Sequence, residues 1–111
     1  MNIVVKARHM DVTDAMKEYV ENKASKLTRF YDRLHTIEVI LDLEADKPSV
    51  EIIASGKKST FVASHHSDEM YSCIDQCLHK VSEQLRRHKD KVRDHQGPTH
   101  SETADLGTSQ A

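Results

Sequence analysis

Apolar residues recur at three- and four-residue steps from Met70 through Ile74, Cys77, Leu78, Val81 and Leu85 to Val92. That period predicts one long amphipathic helix. Ser67 is its expected N-cap, with Asp68 and Glu69 in the first turn, at the positive end of the helix dipole. Gly97-Pro98 is expected to stop it just after His95. A second stripe of Met16, Tyr19, Val20, Ala24, Leu27, Phe30 and Tyr31 predicts an earlier helix, capped by Thr13 and running to about Tyr31. Lys23 falls inside this stripe, so its ammonium must snorkel to an edge or meet a partner.

Elsewhere the period is two. Ile3, Val5 and Ala7 alternate with Val4, Lys6 and Arg8, which predicts a strand from Asn2 to Arg8. Ile37, Val39, Leu41 and Leu43 alternate with Glu38, Ile40, Asp42 and Glu44, a strand from Thr36 to Glu44. After the breaker Asp46-Lys47-Pro48, Ser49 to Ser55 carries Val50, Ile52 and Ala54 on one face. A turn at Gly56-Lys57-Lys58 leads into Ser59 to Ser64, with Phe61 and Ala63. The order is β-α-β-β-β-α. A right-handed crossover makes the first two strands parallel, and short links make the rest an antiparallel meander. Two helices with one stripe each can both be buried on one sheet face. The predicted class is therefore α+β: a two-layer sandwich, a four-stranded sheet with both helices packed on one face. The other sheet face is left partly polar, with Lys6, Arg8, Glu38, Asp42 and Glu51 beside Val4, Ile40, Ile53 and Val62. The domain is expected over 1–96. Residues 97–111 lack apolar periodicity and are expected to form a disordered C-terminal tail.

A chain of 111 residues with 37% hydrophobic content suits one domain with a modest core. No apolar run approaches the roughly 18 residues of a membrane span, and the start lacks a signal-peptide pattern. The expectation is a cytoplasmic protein that does not engage membranes, with Cys73 and Cys77 reduced.

A net charge of -2 does not advertise a nucleic-acid binder. The placement of charge changes the picture. At about 100° per residue, Lys80, Arg87 and Lys91 project from one side of the long helix. Arg86, Lys89 and Arg93 project from the other. Lys26 and Arg29 share a flank of the first helix. If the helices pack with those flanks adjacent, the cations line one groove suited to the phosphates of structured RNA. The bland alternative is a solvated charged helix face. The aromatic residues sit mainly on the buried stripes, so no base-stacking platform is expected.

Little points to catalysis or metal. Three glycines leave no room for a glycine-rich phosphate loop, and no Gly-x-Ser-x-Gly occurs. His65, His66, His79, His88 and His95 are near Cys73 and Cys77 in sequence, but two cysteines four apart supply two zinc ligands, not four. Buried thiols and surface imidazoles are the simpler reading. Asp75 has no obvious partner in the sequence. The expectation is a protein that is not an enzyme, with no cofactor, metal or small-molecule substrate.

Thr13-Asp14-Ala15-Met16-x-x-Tyr19-Val20-x-x-Lys23-x-x-Lys26-Leu27 resembles the first helix of the ribosome hibernation-promoting factor family, the ribosome-associated translation inhibitors. Val62-Ala63-Ser64, Met70-Tyr71-x-x-Ile74-Asp75, Lys80 and Gln84-Leu85-x-Arg87-x-Lys89-x-Lys91 resemble its last strand and second helix. The match is collinear over about 2–93, and this chain resembles the short form of the family. The resemblance implies a non-enzymatic translation inhibitor. Such a protein occupies the mRNA and tRNA channel of the small ribosomal subunit and idles ribosomes under stress or in stationary phase. Its implied partners are the small subunit with its 16S-type rRNA and the 70S ribosome, and the free protein is expected to be a monomer. The family's basic positions carry over to Lys23, Lys26, Arg29, Lys80, Arg87 and Lys91. Arg86 and Lys89 join them by helical angle. The alternative is a small regulatory α/β domain that binds a metabolite or a protein on its sheet.

Overall fold

The computed structural model describes residues 2–29 and 33–94, the side chains of 89–94 excepted. The elements are β1 (Asn2–Arg8), α1 (Asp14–Ser25), a 3-10 turn (Lys26–Arg29), β2 (Leu34–Glu44), β3 (Lys47–Gly56), β4 (Thr60–His66) and α2 (Met70–Asp94). Strand order is β1-β2-β3-β4. β1 and β2 are parallel, and the remaining pairs are antiparallel. The expected fold is found, with both helices on one face. Phe30, Tyr31 and the 97–111 segment lie outside the described residues.

Period-two alternation fixes which face is covered. Cross-strand rows run Val39–Ile52–Ala63 and Leu41–Val50–His65, and their apolar members face the helices. Val20, Ala24 and Leu27 pack on this face from α1 and its 3-10 extension. Met70, Cys73, Ile74, Cys77, Leu78, Val81 and Leu85 pack on it from α2. Ile3, Val5 and Met16, expected in the core, are only partly buried, because β1 is an edge strand and α1, which carries Met16, packs against it. Ile40 departs the other way. It faces the open side yet is buried, because on a central strand it is flanked in register by the long side chains Lys6 and Glu51.

Local chemistry moves several boundaries. Thr13 caps α1 as expected, its Oγ1 accepting from the Met16 amide at 3.1 Å. The helix tightens after Ser25, earlier than predicted. The Ser25 hydroxyl donates to the Asn22 carbonyl and the Thr28 hydroxyl to the Ser25 carbonyl, both at 2.9 Å, which competes with regular helix continuation. The second cap is Glu69, not Ser67. The Glu69 carboxylate accepts from the Ser72 amide at 2.9 Å and the Tyr71 amide at 3.1 Å, and α2 starts at Met70. A carboxylate there neutralises two orphan donors and meets the helix dipole. The β2–β3 link is a two-residue turn. Ala45 and Asp46 both have positive φ, 54° and 62°, so β3 begins at Lys47 and takes in Pro48 where the sequence suggested a break.

Candidate nucleic-acid interface

The topology sorts charge. β1 and β2 start at the same end of the molecule, with Asn2 opposite Thr36. α1 runs back toward that end, and its 3-10 extension delivers Lys26 and Arg29 there. α2 runs the same way. Along it, Cys73 meets His65, Cys77 meets Ala63, Lys80 meets Ser64, Gln84 meets Val62 and His88 meets Phe61. Its second half therefore reaches the end that holds the start of β2 and the β3–β4 turn. Lys26, Arg29, Arg33, Lys57, Lys58, Arg86 and Arg87 gather at this end. The opposite end holds Asp11, Asp14, Asp42, Glu44, Asp46, Asp68 and Glu69. A weakly acidic chain is thus a charge dipole. Both helix C-termini point to the basic end, where cations also offset the helix dipoles.

The two sides of α2 have different neighbours. The side facing α1 carries Asp75, His79 and Ser82, which with Lys23, Lys26, Leu27 and Leu78 line a cleft of about 230 Å³. Arg86 is on this side by helical angle. The other side faces the β4 edge. Lys80 Nζ donates to the Ser64 carbonyl and Gln84 Nε2 to the Val62 carbonyl, each at 2.9 Å. These bonds cover outward carbonyls of an edge strand. Among the described residues, Lys80 and Arg87 do not share a groove with Lys26 and Arg29, because the condition for it, those two flanks lying side by side, is not met. α2 lies over β3 and β4, so its Lys80–Arg87 side is turned away from α1, and two basic strips run on either side of the α2 ridge.

The site residues differ in how free their charge is. Lys23 finds the partner its position demanded. Its Nζ lies 4.0 Å from Asp75 and 5.4 Å from the centre of the Tyr19 ring. Tyr19 donates its hydroxyl to both Asp75 oxygens, at 2.7 and 2.9 Å, and packs edge-on against Tyr71. Asp75 is therefore a helix–helix tie. Its hydrogen bond, followed by burial, pushes the Tyr19 pKa up to about 12. Arg86 pairs with Glu83 at 3.1 Å. Lys26, Arg29 and Arg87 are exposed and make no ion pair with a described residue. Lys89 and Lys91 lie on α2, but their side chains are outside the described residues.

One basic grouping has no counterpart in the sequence reading. Arg33, His35, Lys57 and Lys58 line a cleft of about 430 Å³ at the sheet's basic end. Only the pairing of Leu34 with Gly56 brings these residues together.

The thiols are not available as zinc ligands or nucleophiles. Cys73 Sγ contacts the His65 carbonyl at 3.1 Å, and Cys77 Sγ the Ala63 and Val50 carbonyls at 3.4 and 3.5 Å, beneath α2. Burial raises both pKa values, that of Cys77 to about 12, so neither is a thiolate near neutrality. His9, Asp42 and Glu44 offer ligand atoms within 4.8 Å of one another at the acidic end. There His9 Nδ1 sits 2.9 Å from Asp42, an exposed pair that accounts for the grouping.

The family described as Sigma 54 modulation protein / S30EA ribosomal protein matches residues 3–93. The ribosome hibernation promoting factor of Azotobacter vinelandii is 35% identical over 91 residues, 82% of this chain and 85% of its own. The Escherichia coli K12 protein of that name is 28% identical over 95 residues, 86% of this chain and 100% of its own. The ribosome hibernation promotion factor of Bacillus subtilis is 34% identical, but the match covers only 50% of that longer protein and 83% of this chain. Among solved structures, a ribosomal subunit interface protein from Coxiella burnetii superposes with a TM-score of 0.76 at 28% identity, covering 81% of this chain and 99% of its own. The Thermus thermophilus Protein Y N-terminal domain gives 0.73 at 28% identity, covering 79% and 99%. With a family match over nearly the whole described chain and the same β-α-β-β-β-α fold in its structural relatives, this chain belongs to the Sigma 54 modulation protein / S30EA ribosomal protein family.

Proposed function

We propose that this protein is a cytoplasmic ribosome hibernation factor. It binds the small ribosomal subunit with its helix layer and basic end, occupies the mRNA and tRNA channel, and idles ribosomes under stress or in stationary phase. The partner surface is 16S-type rRNA, in the free subunit or the 70S ribosome, and the free protein is a monomer. The observation that carries this reading is the concentration at one end of an acidic molecule of exposed cations, Lys26, Arg29 and Arg87, that make no ion pair with a described residue. Family membership supplies the ribosome as the polyanion. Lys23, Lys80, Arg86, Lys89 and Lys91 complete the surface. Lys80 reaches a phosphate by leaving the Ser64 carbonyl, and Arg86 by leaving Glu83.

No chemistry is required of the protein. Its basic end is drawn to the phosphate-lined channel, and its acidic end is repelled from rRNA, which orients the encounter. The test is co-sedimentation with small subunits across a salt series, paired with competition against tRNA. About five phosphate contacts give a slope near −4.5 in log K against log salt, a loss of about 500-fold between 50 and 200 mM. Saturating protein should displace bound tRNA. A protein that stays in the supernatant at low salt, or that shares subunits with tRNA, contradicts the proposal.

A further inference from the structure

We propose that Arg33, His35, Lys57 and Lys58 form a second phosphate-binding site, which takes the sugar–phosphate backbone of rRNA and extends the ribosome contact from the helices onto the end of the sheet. The inference rests on the ribosome-binding reading. It concerns residues outside both helices.

Backbone geometry builds the cleft. β2 carries a bulge at its start: Leu34 pairs with Gly56 and Thr36 with Ser55, leaving His35 as the extra residue. A bulge re-aims its side chain, and this one directs His35 toward the β3–β4 turn. The turn is held against Arg33. A Cβ on Gly56 would lie 2.8 Å from the Arg33 carbonyl oxygen, so only glycine allows this approach. The Gly56 amide donates to the Ser59 carbonyl at 2.8 Å and closes the loop that presents Lys57 and Lys58. The basic side chains are thus gathered by strand register and a closed turn, not by a flexible segment.

The electrostatics point to an anion. Arg33, Lys57 and Lys58 are exposed, and none pairs with a described acid. The described lining of the cleft contains no carboxylate. Like charges held in one concavity repel each other and are relieved by phosphate. At about 430 Å³ the cleft is roomier than the one between the helices. Its position favours a polymer over a small anion. Arg33 follows Arg29 by four residues, at most about 14 Å of chain, and Arg29 ends the basic strip of the first helix, so one strand of RNA can reach both the strip and the cleft.

The test compares small-subunit binding by three double variants across a salt series. Lys57→Gln with Lys58→Gln lies in an exposed turn, so the fold should survive. It should lower the salt slope by about two units and weaken binding on the order of tenfold. Lys57→Arg with Lys58→Arg should restore both. Lys26→Gln with Arg29→Gln should also weaken binding. If the Gln pair at 57 and 58 keeps the wild-type slope while the pair at 26 and 29 loses binding, the cleft is not a contact and the ribosome reading stands. If wild-type protein does not bind subunits at all, both fall. Lys47→Gln, at the acidic end, should leave the slope unchanged; a drop equal to that of a single cleft lysine would mean that total charge governs binding, and would overturn the site. Equilibrium dialysis against inorganic tripolyphosphate separates the remaining source. Retention that depends on Lys57 and Lys58, with an unchanged ribosome slope, would make this a small-oligophosphate site and overturn the RNA assignment.

Discussion

At the residue scale, Lys23 and Asp75 show what a sequence can pose but not answer. Helical angle places Lys23 within an apolar stripe, and Asp75 has no visible partner. Which residues meet depends on how two helices lie on a sheet, which no local pattern encodes. The structure joins them through Tyr19. Tyr19→Phe should cost about 1 kcal/mol, toward the low end for a hydrogen bond to a charged group because the site is partly exposed. Chemical denaturation checks this. The pH dependence has a definite sign. The folded pKa of Tyr19 is raised from 10.0 to about 12, so its stabilisation is full below pH 10 and is lost as pH rises toward 12. Tyr19→Phe should lack that part of the alkaline loss. At the acidic end, the hydrogen bond that His9 donates to the Asp42 carboxylate raises the His9 pKa above 6.5. Its contribution is full below the unfolded value and disappears as pH rises through the folded one. NMR titration should show the His9 pKa fall back in Asp42→Asn.

At the element scale, periodicity carried most of the fold. The stripe from Met70 to Leu85 and the alternation from Ile37 to Leu41 each name a buried face, while Leu43 at the strand's end is only partly buried and Ile40 is buried on the opposite face. The ends were harder, because they depend on single hydrogen bonds. The sequence points to Ser67 as the cap, yet in the fold the Glu69 carboxylate takes two amides. Glu69→Ala should therefore cost about 1 kcal/mol, and Ser67→Ala much less. The Ala45-Asp46 turn needs positive φ at residues ill suited to it. Replacing the pair by Asn-Gly should stabilise the protein by about 1 kcal/mol, read as a higher midpoint with an unchanged denaturant slope. Helical angle put Lys80 and Arg86 on opposite sides of α2, but not what each side would meet. Lys80 lies on the side away from α1 because α2 sits over β3 and β4. The Arg33–Lys57 cleft was invisible for a related reason: its parts are distant in sequence and meet only through the Leu34–Gly56 pairing and the bulge at His35.

At the scale of the whole molecule, the summed charge of -2 conceals the property that matters. Parallel pairing of β1 and β2 and the common direction of the two helices place Lys26, Arg29, Arg33, Lys57, Lys58, Arg86 and Arg87 at one end and many of the acids at the other. The central claim is that this basic end, and not charge in general, holds rRNA. The most direct test is co-sedimentation with small ribosomal subunits of two charge-altered proteins. One carries Lys26→Glu, Arg29→Glu and Arg87→Glu; the other carries Asp11→Lys, Glu44→Lys and Asp68→Lys. Circular dichroism should show both folded. The first should stay in the supernatant at a salt concentration where wild-type protein pellets, and the second should pellet at least as well as wild type. Pelleting of the first protein at the wild-type level would contradict the account.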